Sequence, residues 1–260
     1  MLIKINSEAM EQLTETEKRV IVFINANANK FSKMSIGDVA DETFSSPATV
    51  SRAIKKCGLN GFAELRYQVA HQADLHADTI AVNEILNKSL QEVTYTIEQI
   101  SIETVFQIIQ EIKKASKIIL LARGLTEHIA QEFALKLQVL GYNVFANYDP
   151  MMMQSITKRI KPTDLVIIFS LSGTTQELLK AAENAASIGS KIICLTCGNL
   201  DSPLAKISDI AMFGFKHSHT SIKIMDATSR LPLYVMSRII FDYLAVQQQQ
   251  EEENQKSKSR

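Results

Sequence analysis

The chain has three cysteines in 260 residues, no net charge and no long hydrophobic run. Three thiols in a chain of this length do not build a disulfide framework, which fits a reducing compartment. Lysine and arginine number 28, as do aspartate and glutamate, so global charge does not draw the chain to nucleic acid or membrane, and any nucleic-acid site has to be local. No apolar stretch approaches the roughly 18 residues a membrane span needs. The start, Met1-Leu2-Ile3-Lys4-Ile5-Asn6, has neither the hydrophobic segment nor the cleavage site of a signal peptide, so a cytoplasmic protein is expected. What is present is a 46% apolar composition, enough for a real core in one large domain or two modest ones.

The most legible stretch runs from Asp164 to Glu177. Leu165 to Phe169 is apolar, β-branched and too short for a typical helix, so it reads as a strand buried on both faces. Ser170, Ser172, Thr174 and Thr175 then cluster around Gly173, directly before a Leu- and Ala-rich helical segment from Glu177 to Ser187. A helix N-terminus offers unpaired N–H groups and a partial positive charge, glycine permits close backbone approach, and hydroxyls donate to phosphate oxygens. An ordinary capped turn between strand and helix would carry the same hydroxyls. A second hydroxyl-bearing turn upstream, at Thr126, supports the anion-binding reading.

The pattern Ser170, Ser172, Gly173, Thr175 and Glu177 resembles the phosphate-binding signature of the sugar isomerase (SIS) domain. The resemblance implies that these hydroxyls hold the phosphate of a phosphosugar and that the turn Ala122-Arg123-Gly124-Leu125-Thr126 supplies another. That turn departs from the family pattern, with Ala for the first glycine and Thr for serine. The candidate effector residues are therefore Arg123, Gly124, Thr126, Ser170, Ser172, Gly173, Thr174, Thr175 and Glu177. Arg123 could meet the phosphate or pair with a surface carboxylate. Glu177 could accept from a sugar hydroxyl, though capping the helix start is the simpler role.

Near the N-terminus, a helix is expected after Leu13-Thr14-Glu15, a second short one after Ser35, and a third opened by Ser46-Pro47 as N-cap and N1. In the third, Val50, Ala53, Ile54 and Cys57 share one face, leaving Thr49, Ser51, Arg52, Lys55 and Lys56 on the others. A short helix, a tight turn at Thr43-Phe44-Ser45 and a second helix with small hydroxyls and cations outside is what a helix-turn-helix needs to enter the major groove. A solvated face of a small helical domain would look similar. Ser46, Thr49, Ser51, Arg52, Lys55 and Lys56 are the DNA-binding candidates. Thr49-Val50-Ser51-Arg52 and the following Gly58-Leu59-Asn60-Gly61-Phe62-Ala63-Glu64-Leu65-Arg66 resemble the N-terminal domain of the RpiR family of bacterial transcriptional regulators, which joins such a domain to a SIS domain. Phe44 stands where many such turns place glycine, so a positive φ there would carry strain.

The remainder alternates strand and helix, which predicts right-handed crossovers and a parallel, doubly wound sheet. The expected fold class is thus α/β: an all-α helix-turn-helix domain over 1–77, then a flavodoxin-like SIS domain over 78–246, with a linker and first helix at 78–101. The last expected strand is 209–213. The polar tail 247–260 is expected to be disordered.

Cys194-Leu195-Thr196-Cys197 lies in and after a strand, where i and i+3 face opposite ways, so core thiols fit better than a metal or redox pair. Met151-Met152-Met153 suits helix packing or a ligand wall. No metal and no cofactor are expected. An aldose–ketose isomerase needs a base beside the reacting carbons. The candidates, His128, Glu132, His217 and His219, sit in no recognisable catalytic motif, so the expectation is a regulator rather than an enzyme. Its expected partners are an operator in double-stranded DNA, a phosphosugar effector and a second copy of itself, since two-fold operators call for dimers.

Overall fold

The computed structural model describes residues 12–72, 77–217, 221–222 and 225–258. The chain divides into two compact units, Met1–Gln91 and Glu92–Arg260.

The first unit is helical: α1 (Glu15–Ala26), α2 (Ala28–Phe31), α3 (Ile36–Glu42), α4 (Pro47–Lys56), α5 (Phe62–Gln72) and the first part of α6 (Ala77–Gln99). Its helix starts are fixed locally. Thr14 and Glu17 form a capping box on α1, Ser35 and Asp38 form another on α3, and Ser46 caps α4 ahead of Pro47. The amphipathic faces of α1, α3 and α4 then close on one core, with Val20, Ile21, Ile24, Val39, Val50, Ala53 and Ile54 fully buried. Between α1 and α3, the single turn of α2 is held by Phe31, buried edge-on against Phe62 at 5.1 Å.

The second unit is a three-layer α/β/α sandwich. After α7 (Ile102–Lys114) come β1 (Ile118–Ala122), a 3₁₀ turn at Gly124–Thr126, α8 (Glu127–Val139), β2 (Val144–Asn147), α9 (Pro150–Thr157), β3 (Leu165–Ser170), α10 (Gln176–Ile188), β4 (Lys191–Thr196), α11 (Pro203–Ile207) and β5 (Ile210–Phe213). Five strands pair in the order β2-β1-β3-β4-β5, all parallel. Successive strand residues feed opposite layers. Leu120 and Ile167 join the core beneath α7 and α8, while Leu121 and Ile168 join the one beneath α9 and α10. This two-sided burial is why β3 reads as an unbroken apolar run. Among the described residues no helix is long and apolar enough to cross a membrane.

Two expectations about the C-terminal end need correction. The strand at 210–213 is not the last: β6 (Ser221–Ile222) and β7 (Met225–Asp226) form a small antiparallel pair, each too short for alternation to show in sequence. The closing helix, α12, runs from Leu231 to Lys258, through the polar stretch expected to be disordered. Glutamine and glutamate are good helix formers, and the stretch is tethered where Glu251 pairs with Lys113 at 2.7 Å and the Gln248 amide donates to the Leu140 carbonyl.

Candidate functional site

Strand order reverses between β1 and β3, the topological switch point where open parallel sheets leave a crevice at their carboxyl ends. Ala122 and Phe169 are register partners, so the turn after β1 and the loop after β3 leave the sheet side by side. The structure therefore brings together the two hydroxyl-bearing turns that the sequence singled out.

The β3 loop is shaped by its own side chains. Buried Ser170 accepts from the Gly173 N–H at 3.1 Å, which folds the loop back over the strand end. Gly173 has φ +71°, and an added Cβ would stand 2.5 Å from Ser202 Oγ, so this position demands glycine on two grounds. The exposed Ser172 hydroxyl accepts from the Thr174 N–H at 3.3 Å and from the Thr174 hydroxyl at 2.9 Å. Thr175 is the N-cap of α10, yet its side chain makes no capping bond, so the first turn of the helix keeps its N–H donors for another acceptor. Glu177 lies in that first turn, half-buried.

The β1 turn is arranged differently. Gly124 has φ +63° and its N–H donates to Glu127 Oε1 at 2.8 Å. Arg123 is engaged: Nη1 donates to the Tyr148 carbonyl at 2.8 Å and lies 3.4 Å from Glu127 Oε1. Of the two roles open to Arg123, its contacts are those of a carboxylate partner and turn anchor. Thr126 is buried at the start of α8.

Sequence reasoning missed the support beneath the loop. Gly198 lies so close to Ser172 that a Cβ there would come 2.4 Å from the Ser172 carbonyl oxygen, and Thr196 Oγ1 accepts the Gly198 N–H at 2.9 Å. Ser202 holds the N-cap position of α11 ahead of Pro203, without a side-chain capping bond, and packs under Gly173. The Ser-Pro pair had the same form as Ser46-Pro47 and was the available signal.

In the first unit, α3, the turn and α4 form the helix-turn-helix. Phe44 adopts φ +49° and is 89% exposed, so the expected strain is present. Ser46 accepts from the Thr49 N–H at 3.2 Å, and Arg52 Nη2 reaches the Thr49 hydroxyl at 3.4 Å. Ser46, Arg52 and Lys55 are exposed, whereas Thr49 and Ser51 are half-buried. Lys56 is drawn elsewhere. Its ammonium sits 2.7 Å from buried Glu17 Oε2 and 3.0 Å from the Gln12 carbonyl, tying the end of α4 to α1. Lys56 and Thr14 hold the Glu17 carboxyl below the usual range.

Cys194 and Cys197 pack into opposite layers, and burial pushes each thiol up to about 12. Among the described residues no group of three or more His, Cys, Asp and Glu could hold a metal. His128 is exposed, Glu132 pairs with Lys136, His217 is half-buried, and His219 lies outside the described residues. Met153 is buried, but Met151 is 82% exposed.

A helix-turn-helix domain of the rpiR family matches residues 1–74 and a SIS domain matches residues 111–238. The chain has the domain architecture of the RpiR family. An uncharacterised HTH-type transcriptional regulator of Clostridium perfringens is 25% identical over 242 residues, covering 88% of this chain and 86% of that one. The Vibrio vulnificus NanR protein, solved in complex with ManNAc-6P, shares the fold with a TM-score of 0.60 at 19% identity, covering 97% of this chain and 94% of that one. The sugar isomerase domain of an RpiR transcription factor from Sphaerobacter thermophilus aligns with a TM-score of 0.59 at 19% identity, over 64% of this chain and 90% of that one.

One expectation is overturned here. A Bacteroides fragilis protein proposed to be a phosphosugar isomerase involved in capsule formation aligns at 26% identity with a TM-score of 0.52, over 66% of this chain and 90% of that one. The flat expectation of a non-enzyme does not stand. A catalytic base in such a crevice can come from any neighbouring segment, so the lack of a local motif has no power to exclude isomerase chemistry.

Proposed function

We propose that this chain is a cytoplasmic transcriptional regulator of sugar metabolism, in which α4 reads double-stranded DNA and the SIS domain senses a phosphosugar. The division of labour assigns 1–77 to DNA binding and 78–246 to sensing. The observation that carries the reading is the β3 loop: Ser172, Thr174 and Thr175 ring the uncapped N-terminus of α10 at the switch point of the sheet. Gly173 and Glu177 shape that loop, Ser170 folds it, and Gly124 and Thr126 close the crevice from the β1 side. In the first unit, Ser46, Thr49, Ser51, Arg52 and Lys55 are the groups offered to DNA.

The regulator acts as a homodimer, matching two-fold operators. Effector binding shifts the balance between two dimer arrangements by its differential affinity for them. The isomerase reading is kept beside it because of the likeness to the B. fragilis protein, and both are examined on one sample. Thermal unfolding of the full chain is measured against sugar phosphates and the matching unphosphorylated sugars. A phosphorylated sugar should stabilise the wild type and not Ser172→Ala. The stabilising compound is then incubated with the protein and analysed for its aldose and ketose forms. Stabilisation by unphosphorylated sugars alone, or a response untouched by Ser172→Ala, would overturn the phosphate-loop reading.

A further inference from the structure

A cavity of about 340 Å³ opens in the helical first unit, where the end of α2, the helix α5 and the first turns of α6 meet. Ser32, Lys33, Arg66, Thr79 and Asn83 line its polar part, and Val82 and Leu86 make an apolar side. Among the described residues no carboxylate lines it.

Two of these residues carry polar atoms that are buried without a hydrogen-bond partner, Ser32 Oγ and Arg66 Nε. Ser32 ends α2 and is 3% exposed. The Arg66 guanidinium is anchored by its other atoms: Nη1 donates to the Met34 carbonyl at 3.4 Å, and the group lies 5.7 Å from the centre of the Phe62 ring. Burial pulls Arg66 below the ordinary arginine pKa, and no neighbouring acid offsets the shift. Asn83 belongs to the frame. Its Nδ2 donates to the Thr79 carbonyl at 2.8 Å and to the Ser32 carbonyl at 3.4 Å, which fixes α6 against the end of α2. Lys33 adds an exposed ammonium, and Val82 and Leu86 stand one helical turn apart with about half of their surface open.

A buried donor without an acceptor costs free energy, and a desolvated cation without a counter-ion costs more. Both belong to residues that line one cavity, so the missing partner is an anion with oxygen acceptors. The apolar side narrows the choice. A backbone phosphate of DNA, the other anion this unit meets, brings no hydrocarbon to Val82 and Leu86, whereas an organic acid does. Arginine also meets a carboxylate through two parallel N–H donors.

We propose that this cavity binds a small organic acid, with its carboxylate on Arg66 Nε and Ser32 Oγ and its carbon chain against Val82 and Leu86. The volume lies at the small end of ordinary ligand sites, about 300–1,000 Å³. The ligand differs in class from the phosphosugar of the β3 loop, and all its contacts lie in the unit that carries α4. A filled cavity bridges α2, α5 and α6 and so stabilises that unit.

The test uses the full-length protein with hexanoate as the probe, binding being followed by ligand-observed NMR and the melting temperature of every variant recorded. Hexanoate should bind, and hexanamide, the same chain without the charge, should bind about tenfold more weakly or not at all. Ser32→Ala removes a hydroxyl that has no partner, so its melting temperature should stay near that of the wild type while hexanoate binding weakens about fivefold. Arg66→Gln should weaken it about tenfold or more, and Arg66→Lys, which keeps the charge and loses the fork, should recover only part. Ser172→Ala should bind hexanoate as the wild type does. The proposal fails if hexanoate does not bind, or if binding persists unchanged in Ser32→Ala and Arg66→Gln. Loss of binding in Ser172→Ala would place the acid in the β3 crevice instead and also sink it. So would a random-sequence DNA duplex that displaces hexanoate and is itself bound more weakly by Ser32→Ala, because the donors would then be a clamp for backbone phosphate.

Discussion

Replacing Gly173 by alanine probes the phosphate loop and its support at once. At φ +71° an alanine pays the left-handed penalty of about 1–2 kcal/mol. Its Cβ would also stand 2.5 Å from Ser202 Oγ, 2.8 Å from Ser202 Cβ and 3.2 Å from Thr196 Oγ1. Neither neighbour yields easily, because Ser202 is 4% exposed at the head of α11 and Thr196 Oγ1 holds the Gly198 N–H. Forcing a methyl into such a place costs about 1–3 kcal/mol more. The sum, roughly 2–5 kcal/mol, corresponds to a fall in melting temperature of roughly 5–15 °C for a domain of this size. Ser202→Gly removes the two nearest obstructing atoms, and the hydroxyl it deletes is buried without a partner, so it should cost little alone. In that background Gly173→Ala should cost only its backbone share, leaving a coupling of about 1–3 kcal/mol in the double-mutant cycle. Urea denaturation of the four proteins measures it. Additivity within about 0.5 kcal/mol would refute the steric argument.

Three further outcomes follow from named contacts. Arg52→Ala should weaken DNA binding and reduce the salt dependence of affinity by about one ion, without changing stabilisation by sugar phosphates; gel shifts at several salt concentrations read this. Glu17→Gln should destabilise the first unit by about 1–2 kcal/mol at pH 7, kept modest by the solvent around Lys56. Because the folded Glu17 carboxyl titrates below its unfolded value, that stability is present above about pH 4 and lost as pH falls through the folded value. Wild type and variant should therefore converge in acid, and parallel unfolding curves down to pH 3 would contradict the assignment. Cys194 and Cys197, with thiols pushed up to about 12, should alkylate in the native protein roughly a thousandfold more slowly at pH 8 than an ordinary thiol, as mass spectrometry of timed reactions would show.

What could be read from sequence was what short segments decide for themselves. Leu165–Ser170 and the hydroxyls after it form strand and loop through neighbours within a few residues, and Ser46-Pro47 starts α4 unaided. Contacts that join distant positions were not legible. Nothing near Lys56 says that its ammonium meets Glu17, 39 residues away, and nothing near Gly173 names Ser202 beneath it. The sequence leaves Arg123 between a phosphate and a carboxylate, and the choice falls only when Tyr148 and Glu127 are seen around it. The polar tail looked disordered because composition ignores tethers, and here Lys113 and Leu140 supply them.

The central claim is that a phosphosugar on the β3 loop controls what α4 does with DNA. It is tested most directly by measuring affinity for an operator selected in vitro, with and without the sugar phosphate that stabilises the protein. The account predicts that this compound changes operator affinity in the wild type and not in Ser172→Ala, while Arg52→Ala binds the operator more weakly and still responds thermally to the sugar. Operator affinity that is the same at all sugar phosphate concentrations, in a protein shown to bind the sugar, would contradict it.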